Sequence, residues 1–267
     1  MTSPYQVRQI TPNVALLLAP NPSPWTLEGT NTWIVGTPGS GERAVIDPGP
    51  ADEGHLDRIM AALGGRSLPQ IWLTHSPGDH AEAAAPPAER SGATVYTSRA
   101  REGQVRVAEG ERHVLGGVPM LVHAIPGHTV DSLGFELEED GIVFTGDTLL
   151  GRGSTAVGMG LMGEMLTTLA RLEGLAAAGS GRGFPGHGEI LEDLGAAAAS
   201  RLASRRRRIA DVEGRARAGA SVDAITDELY AHVADPSLRM AARHTVVSIL
   251  KYLDAREHGE SAGAHGR

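Results

Sequence analysis

The segment Thr74-His75-Ser76-Pro77-Gly78-Asp79-His80 constrains this chain more than any other. It follows an apolar run, Ile71-Trp72-Leu73, and leads into Ala81-Glu82-Ala83-Ala84-Ala85, which has helix-forming composition. A buried strand that gives way to a helix, with imidazole and carboxylate groups at the junction, is the pattern of an open α/β layer whose site forms at the C-terminal edge of its strands. Strand alternation puts residues 75 and 77 on one face and turns Ser76 away. Asp79 and His80 fall where strand yields to helix.

The same grammar recurs three times. His128 lies in Ile125-Pro126-Gly127-His128-Thr129, Asp147 in Thr145-Gly146-Asp147-Thr148, and His187 in Phe184-Pro185-Gly186-His187-Gly188. Each follows Gly or Pro-Gly, which allows a sharp turn that exposes the side chain. Zinc takes neutral imidazole nitrogens and carboxylate oxygens, with a position left open for water. A bridging carboxylate holds a second metal roughly 3.5–4 Å away. His75, His80, His128 and His187 share one context, and with Asp79 and Asp147 they argue for one cation-holding pocket. His55, His113, His123, His232, His244 and His258 lack that context and read as core or surface residues.

The 267 residues contain no cysteine, so disulfides, a thiol nucleophile and thiolate ligands are excluded. The available donors suit zinc, iron or manganese. A formal charge of −8 and an aromatic content of 4% argue against nucleic acid as a partner. The Arg205-Arg206-Arg207-Arg208 run reads as a solvated helix face. Met1-Thr2-Ser3-Pro4-Tyr5 has no leader-like character and no apolar run reaches membrane-spanning length, which predicts a soluble, cytoplasmic protein.

The chain is long enough for one large α/β domain and a small second one. Strand-like runs occur at Thr30–Val35, Arg43–Asp47, Ile71–Thr74, Thr94–Thr97, Leu121–Ile125, Gly134–Leu137 and Gly141–Thr145, with helical spacing at His55–Leu63 and Met162–Leu175. Two β-then-α halves predict two packed sheets with helices outside. After about Glu192 the chain turns helical and Arg-rich. Ser221 is a plausible N-cap, and Asp235-Pro236-Ser237 opens a last helix. The expected units are 1–195, a helical appendage over 196–258, and a disordered tail over 259–267.

These motifs resemble the metallo-β-lactamase superfamily. Residues 20–33 and Asp47-Pro48-Gly49-Pro50 resemble its lactamase-B-like hydrolases with an appended winged-helix-like domain, matched here by about 200–258. The resemblance implies an αββα sandwich with the site between the sheets. It places His75, a second motif histidine and His128 at a first metal, Asp79, His80 and His187 at a second, and Asp147 as the bridge. It puts Asp47 behind the ligands, fixing the motif loop, and Trp25, Asn31 and Arg152 near the mouth. The family motif reads His-x-His-x-Asp-His, and Pro77 stands at its second histidine. Proline offers no ligand atom, so the resemblance implies one zinc, with two metals or a site without hydrolytic activity as alternatives. The implied function is hydrolysis of a small ester, thioester, lactone or amide, with His75, Asp79 and His128 as catalytic groups. A repurposed biosynthetic member catalysing elimination or cyclisation is the second reading, and a single-stranded RNA endonuclease the third.

Overall fold

A computed structural model describes residues 5–264. The chain runs through β1 (Arg8–Gln9), β2 (Val14–Leu18), β3 (Asn31–Val35), β4 (Glu42–Ile46), α1 (Glu53–Ala62), β5 (Ser67–Trp72), α2 (Gly78–Ala81), α3 (Ala85–Ser91), β6 (Thr94–Thr97) and β7 (Gln104–Arg106). It continues with β8 (Arg112–Leu115), β9 (Val118–Ala124), β10 (Leu133–Leu137), β11 (Ile142–Gly146), α4 (Met162–Ala177) and β12 (Arg182–Pro185). Three helices close it: α5 (Leu194–Arg217), α6 (Val222–Leu229) and α7 (Pro236–Ala264).

β1 to β7 form one sheet in sequence order, antiparallel up to β4 and parallel from β4 to β7. The second sheet has the order β12-β11-β10-β9-β8, with β11 and β12 parallel and the rest antiparallel. Alternation along the strands divides the apolar residues between two faces. Trp33, Ile46 and Trp72 point between the sheets, where they meet Phe135, Phe144 and Phe184 of the second sheet. Trp33 stacks on Phe184 with ring centroids 4.7 Å apart and meets Phe144 edge-on at 5.7 Å. Ile34, Val45 and Ile71 point the other way and pack on Leu56 and Ile59 of α1. Val143, with Ile125, covers the outer face of the second sheet against Met165, Leu169 and Leu172 of α4 and Leu194, Ala198 and Leu202 of α5. The layers are therefore helix, sheet, sheet, helix.

Side-chain caps fix helix starts, each worth about 1 kcal/mol. The Asp52 carboxylate accepts from His55 N at 2.6 Å, and Asp193 from Ala196 N at 2.8 Å. Ser221 caps α6 as its sequence suggests.

Several differences from the sequence reading have local causes. β7 and β8 are short, polar edge-side strands with weak apolar patterning. The strand leading to the motif, expected over Ile71–Thr74, runs over Ser67–Trp72, and Thr74 N donates to Asp47 Oδ1 at 2.8 Å rather than to a neighbouring strand. α5 begins at Leu194, so residue 195 lies inside its first turn, and α5, α6 and α7 share one apolar cluster with α4. No strand follows β12 among the described residues. α7 remains helical to Ala264, so the tail expected from residue 259 starts within it. Residues 265–267 of that tail, and residues 1–4 at the N-terminus, lie outside the described residues. Among the described residues no helix is long and apolar enough to cross a membrane.

Candidate metal centre

Five strand ends supply the site. Asp47 follows β4, Thr74 and His75 follow β5, His128 follows β9, Asp147 follows β11 and His187 follows β12. α2 contributes Asp79 and His80. Tight backbone contacts hold these ends together: Leu133 N donates to Thr74 O at 2.7 Å and Asn31 N to Gly186 O at 2.7 Å.

Each of the four histidines has its Nδ1 engaged away from the centre. His80 Nδ1 lies 2.9 Å from Asp47 Oδ2, His75 Nδ1 2.9 Å from Thr74 Oγ1, His128 Nδ1 3.0 Å from Ala156 O, and His187 Nδ1 3.2 Å from Gly29 O. Thr74 Oγ1 itself donates to Asp47 Oδ2 at 2.6 Å, so it accepts from His75 Nδ1–H. These bonds fix the tautomer and leave each Nε2 lone pair facing inward, the arrangement that ligand histidines need. Gly29 has to be glycine: a Cβ there would lie 2.0 Å from Ala19 O, and its φ is +139°. Asp47 sits at φ 50°, a left-handed conformation unusual outside glycine, and its carboxylate serves Thr74 N, Thr74 Oγ1 and His80 together.

The inward atoms converge on Asp147. His187 Nε2 is 3.3 Å from Asp147 Oδ2 and 3.2 Å from Asp79 Oδ2. His80 Nε2 is 3.5 Å from Asp147 Oδ1 and 3.2 Å from His187 Nε2. His75 Nε2 and His128 Nε2 lie 4.0 and 3.9 Å from Asp147 Oδ2. Two donor triangles result, Asp79–His80–His187 and His75–His128–Asp147, with Asp147 beside both; Asp47, His75 and His80 form a third close group.

The donors fit a divalent cation. His75 Nε2 and Asp147 Oδ1 are buried without a hydrogen-bond partner, which is costly unless a ligand satisfies them. Without a cation the charges compensate internally. Burial opposes charge on His187, but the Asp147 charge and the hydrogen bonds that Asp147 and Asp79 accept from it outweigh burial and raise its pKa to about 9. Burial likewise opposes charge on His80, and Asp147 and Asp47 raise it well above the usual value. Burial would raise Asp147, yet His80 and His187 hold it well below the ordinary carboxylate range. His75 goes the other way: burial, then the neighbouring His80, lowers it to about 3, so it presents a neutral ring.

Pro77 caps α2 with φ −54° and ψ 148° and adds no donor. Ser76 Oγ donates to Asp131 Oδ2. The triangle of His75, His128 and Asp147 is thus one histidine short of the family motif, whereas Asp79, His80, His187 and Asp147 are all in place. None of His55, His113, His123, His232, His244 or His258 joins a donor cluster among the described residues. His55 Nε2 bonds Thr32 Oγ1 at 2.9 Å, and His123 Nε2 bonds Glu136 Oε2 at 2.6 Å.

A cavity of about 280 Å³ opens beside His128 and Asp147, walled by Trp25, Leu27 and Arg152 on one side and by α5 and α7 on the other. Trp25 Nε1 donates to Ser237 Oγ of α7 at 2.8 Å, tying the entrance loop to the C-terminal helices. Arg152 is ion-paired with Glu28 at the rim. Asn31, expected near the mouth, is instead buried behind the site, where Nδ2 donates to Pro185 O at 3.0 Å and Gly188 O at 2.9 Å and so clamps the His187 loop.

The arginine run departs furthest from expectation. Arg205 is buried at 5% exposure rather than solvated, because residue 205 falls on the same helix face as Leu202 and Ile209. Thr74 and Thr155 were not singled out by the sequence either. Thr155 Oγ1 donates to Asp147 O and lies 3.3 Å from His128 Nδ1. Thr74 opens the motif segment itself, which is its signal in the sequence; Thr155 has none.

The fold and donor set define a metal-site α/β sandwich, and comparison with known proteins gives its family. The sequence matches the metallo-β-lactamase superfamily over residues 82–187. It is similar to the lactamase-like protein ptaB of Pestalotiopsis fici, 37% identical over 210 residues, which cover 76% of this chain and 64% of that protein. It is also similar to atrochrysone carboxyl ACP thioesterases of Aspergillus aculeatus (35% identical, 76% of this chain and 64% of that one) and Claviceps purpurea (30% identical over 251 residues, 88% and 78%). The chain spans less than two thirds of the length of the first two. Two solved structures share the fold: a metallo-β-lactamase family protein of Thermus thermophilus (TM-score 0.76, 22% identical, 93% of this chain and 95% of that one) and a β-lactamase domain protein of Burkholderia ambifaria (TM-score 0.81, 19%, 96% and 90%). The chain belongs to the metallo-β-lactamase superfamily. That membership implies a divalent metal, typically zinc, which the donor geometry suits.

Proposed function

We propose that this protein is a metal-dependent hydrolase of an acyl thioester, with one zinc held by Asp79, His80, His187 and Asp147. The observation that carries the reading is the convergence of four imidazole Nε2 atoms, each with its Nδ1 fixed outward, on the carboxylate of Asp147. Relatives named as thioesterases direct it toward thioesters among acyl substrates. Iron or manganese would suit the same donors.

A cation in this pocket supplies the charge that polarises the acyl carbonyl and makes water nucleophilic near neutral pH. The chain's own residues do the rest. Asp79, one third exposed and beside His187, orients the attacking water and accepts its hydrogen bond. His128 lines the cavity with Nδ1–H committed to Ala156 O, so its Nε2 is an acceptor that takes a proton during attack. His75 holds a neutral, inward lone pair. The apolar wall excludes bulk water and seats the acyl group. In the same reading, the helices of residues 196–258 serve as a cover over that cavity, without the strands that a wing would need among the described residues.

Elemental analysis of the purified protein, paired with hydrolysis of a panel of N-acetylcysteamine thioesters before and after chelation, tests the proposal. The expected result is about one equivalent of metal per chain and hydrolysis that chelation abolishes and zinc restores. Two tightly held equivalents would refute the single-metal form. Pro77 favours one other reading, a non-hydrolytic elimination or cyclisation with a reduced metal requirement, and activity that survives exhaustive chelation would select it.

A further inference from the structure

α5 carries a charge where its pattern calls for an apolar residue. Its buried face is Leu194, Ala198, Leu202, Arg205, Ile209 and Val212. Arg205 reaches the cavity wall with 5% of its surface exposed. Its one hydrogen bond among the described residues runs from Nη2 to Thr155 O, and its buried Nε has no partner. No carboxylate pairs with it among the described residues, whereas Arg152 across the cavity is matched by Glu28. The remaining ionisable groups of the wall are Asp147 and His128, which belong to the donor cluster, and Tyr230 and His232. Burial, then the nearby Arg201, lowers the Arg205 pKa to about 10, so it remains a cation at neutral pH. Arg208 is occupied separately, with its guanidinium 4.4 Å over the Tyr230 ring and Nη1 donating to Leu229 O at 3.1 Å.

A buried, unpaired guanidinium is destabilising on its own, and a planar fork of this kind matches a carboxylate. Thr155 sets its place. The residue that accepts from Arg205 through its carbonyl also donates to Asp147 O through its hydroxyl and touches His128. The guanidinium therefore lines the same cavity of about 280 Å³ one residue away from the cation pocket, and its Nη1 makes no hydrogen bond among the described residues. An anion bound there sits close to the reacting carbonyl, which points to the acyl part of a substrate rather than to a distant carrier. A volume near the lower end of the ~300–1,000 Å³ range of ligand cavities favours a compact acyl group.

We infer that Arg205 receives a carboxylate carried by the acyl group, so that the substrates are short acyl thioesters with a second, anionic end. The word substrate rests on the hydrolase reading; the binding itself does not.

The test uses zinc-loaded full-length protein and two hydrolysis-resistant amides of N-acetylethylenediamine, glutaryl and pentanoyl, which carry NH in place of the thioester sulfur and differ in the terminal carboxylate. Calorimetry should show the glutaryl amide binding about tenfold more tightly, the scale of one charge-assisted contact. Arg205→Met should erase that preference while leaving the pentanoyl amide within about twofold, and Arg205→Lys should keep only part of it. No preference in the unmodified protein overturns the inference without recourse to any variant. A preference that survives Arg205→Met overturns it too, since the carboxylate then sits on the cation. If Arg205→Met does not fold, Arg205→Lys decides: full retention of the preference refutes the fork. The matching thioesters separate the two readings. A glutaryl preference in KM supports both, and equal loss of kcat on both thioesters in Arg205→Met would make Arg205 an oxyanion donor instead. Amide preference without turnover of either thioester sinks the hydrolase reading and leaves the Arg205 assignment standing. Turnover without preference does the reverse.

Discussion

His80 Nε2 and His187 Nε2 stand 3.2 Å apart, and both rings have already committed an Nδ1 hydrogen, one to Asp47 and one to the Gly29 carbonyl. Two lone pairs cannot face each other at that distance without a positive charge between or beside them. A proton meets the need in the metal-free protein, and a divalent cation meets it better. Zinc at one hundred times its dissociation constant should therefore raise unfolding stability by about 3 kcal/mol. His187→Ala should abolish the gain. Scanning calorimetry with and without zinc reads both, and an unchanged melting temperature in the unmodified protein would remove the cation from this pocket.

Asp47→Asn isolates the carboxylate's charge, because asparagine tolerates the left-handed backbone at this position. Its amide oxygen can still accept from Thr74 N, but the set of three acceptor contacts to Thr74 and His80 is broken. Zinc affinity should fall about 10–100-fold, the range for lost outer partners of ligand histidines. Competition with a coloured chelator measures it; unaltered affinity would mean that His80 needs no support from Asp47.

Gly186 packs directly under the ligands. A Cβ there would lie 2.4 Å from Asp147 Oδ1 and 2.6 Å from His80 Cε1. Gly186→Ala should lose zinc and about 1–3 kcal/mol of stability through overpacking. Gly181→Ala is the control, since a Cβ at 181 meets nothing within 4 Å. Denaturant melts of the two variants side by side would expose an error if they matched.

His55 gives stability its own pH dependence. It is fully buried against Thr32, and burial, then the Arg58 charge, lowers its pKa from 6.5 to about 4, with Asp52 acting weakly in the opposite sense. The folded state thus resists protonation that the unfolded chain accepts. Its contribution is complete above pH 6.5, declines as pH falls toward 4, and amounts to roughly 3 kcal/mol at most. His55→Gln should flatten the curve in that window when urea midpoints are followed from pH 7 to 4.

Pro77→His restores the missing donor position. The proline's φ and ψ are open to histidine, so the backbone need not move. The variant should take up one metal equivalent more than the unmodified protein, as mass spectrometry of the intact, non-denatured protein would reveal. A variant still limited to one equivalent would show that the loop, not the missing imidazole, limits the site.

The residues that converge on Asp147 are legible in the sequence because each sits in a short context of apolar strand, small residues and polar group, and that context survives reading in one dimension. The same is true of the central strands β3, β10 and β11, which are buried throughout and carry apolar stretches such as Trp33-Ile34-Val35 and Ile142-Val143-Phe144. What remained hidden depends on distance across the fold. Asn31 reads as a rim residue until the bonds to Pro185 and Gly188, over 150 positions away in sequence, are seen. Thr155 is an unremarked threonine in a glycine-rich loop. Arg205 shows the limit of charge counting: four consecutive arginines look like a wetted surface, but a helix distributes them around its axis, and one of the four turns inward.

The cation pocket is complete at His187, while the opposite wall of the cavity comes from beyond residue 200. During synthesis every donor emerges before α5 does. The helices that wall the cavity opposite the donors are thus made after them, and the donors and their enclosure are contributed by separate stretches of the sequence.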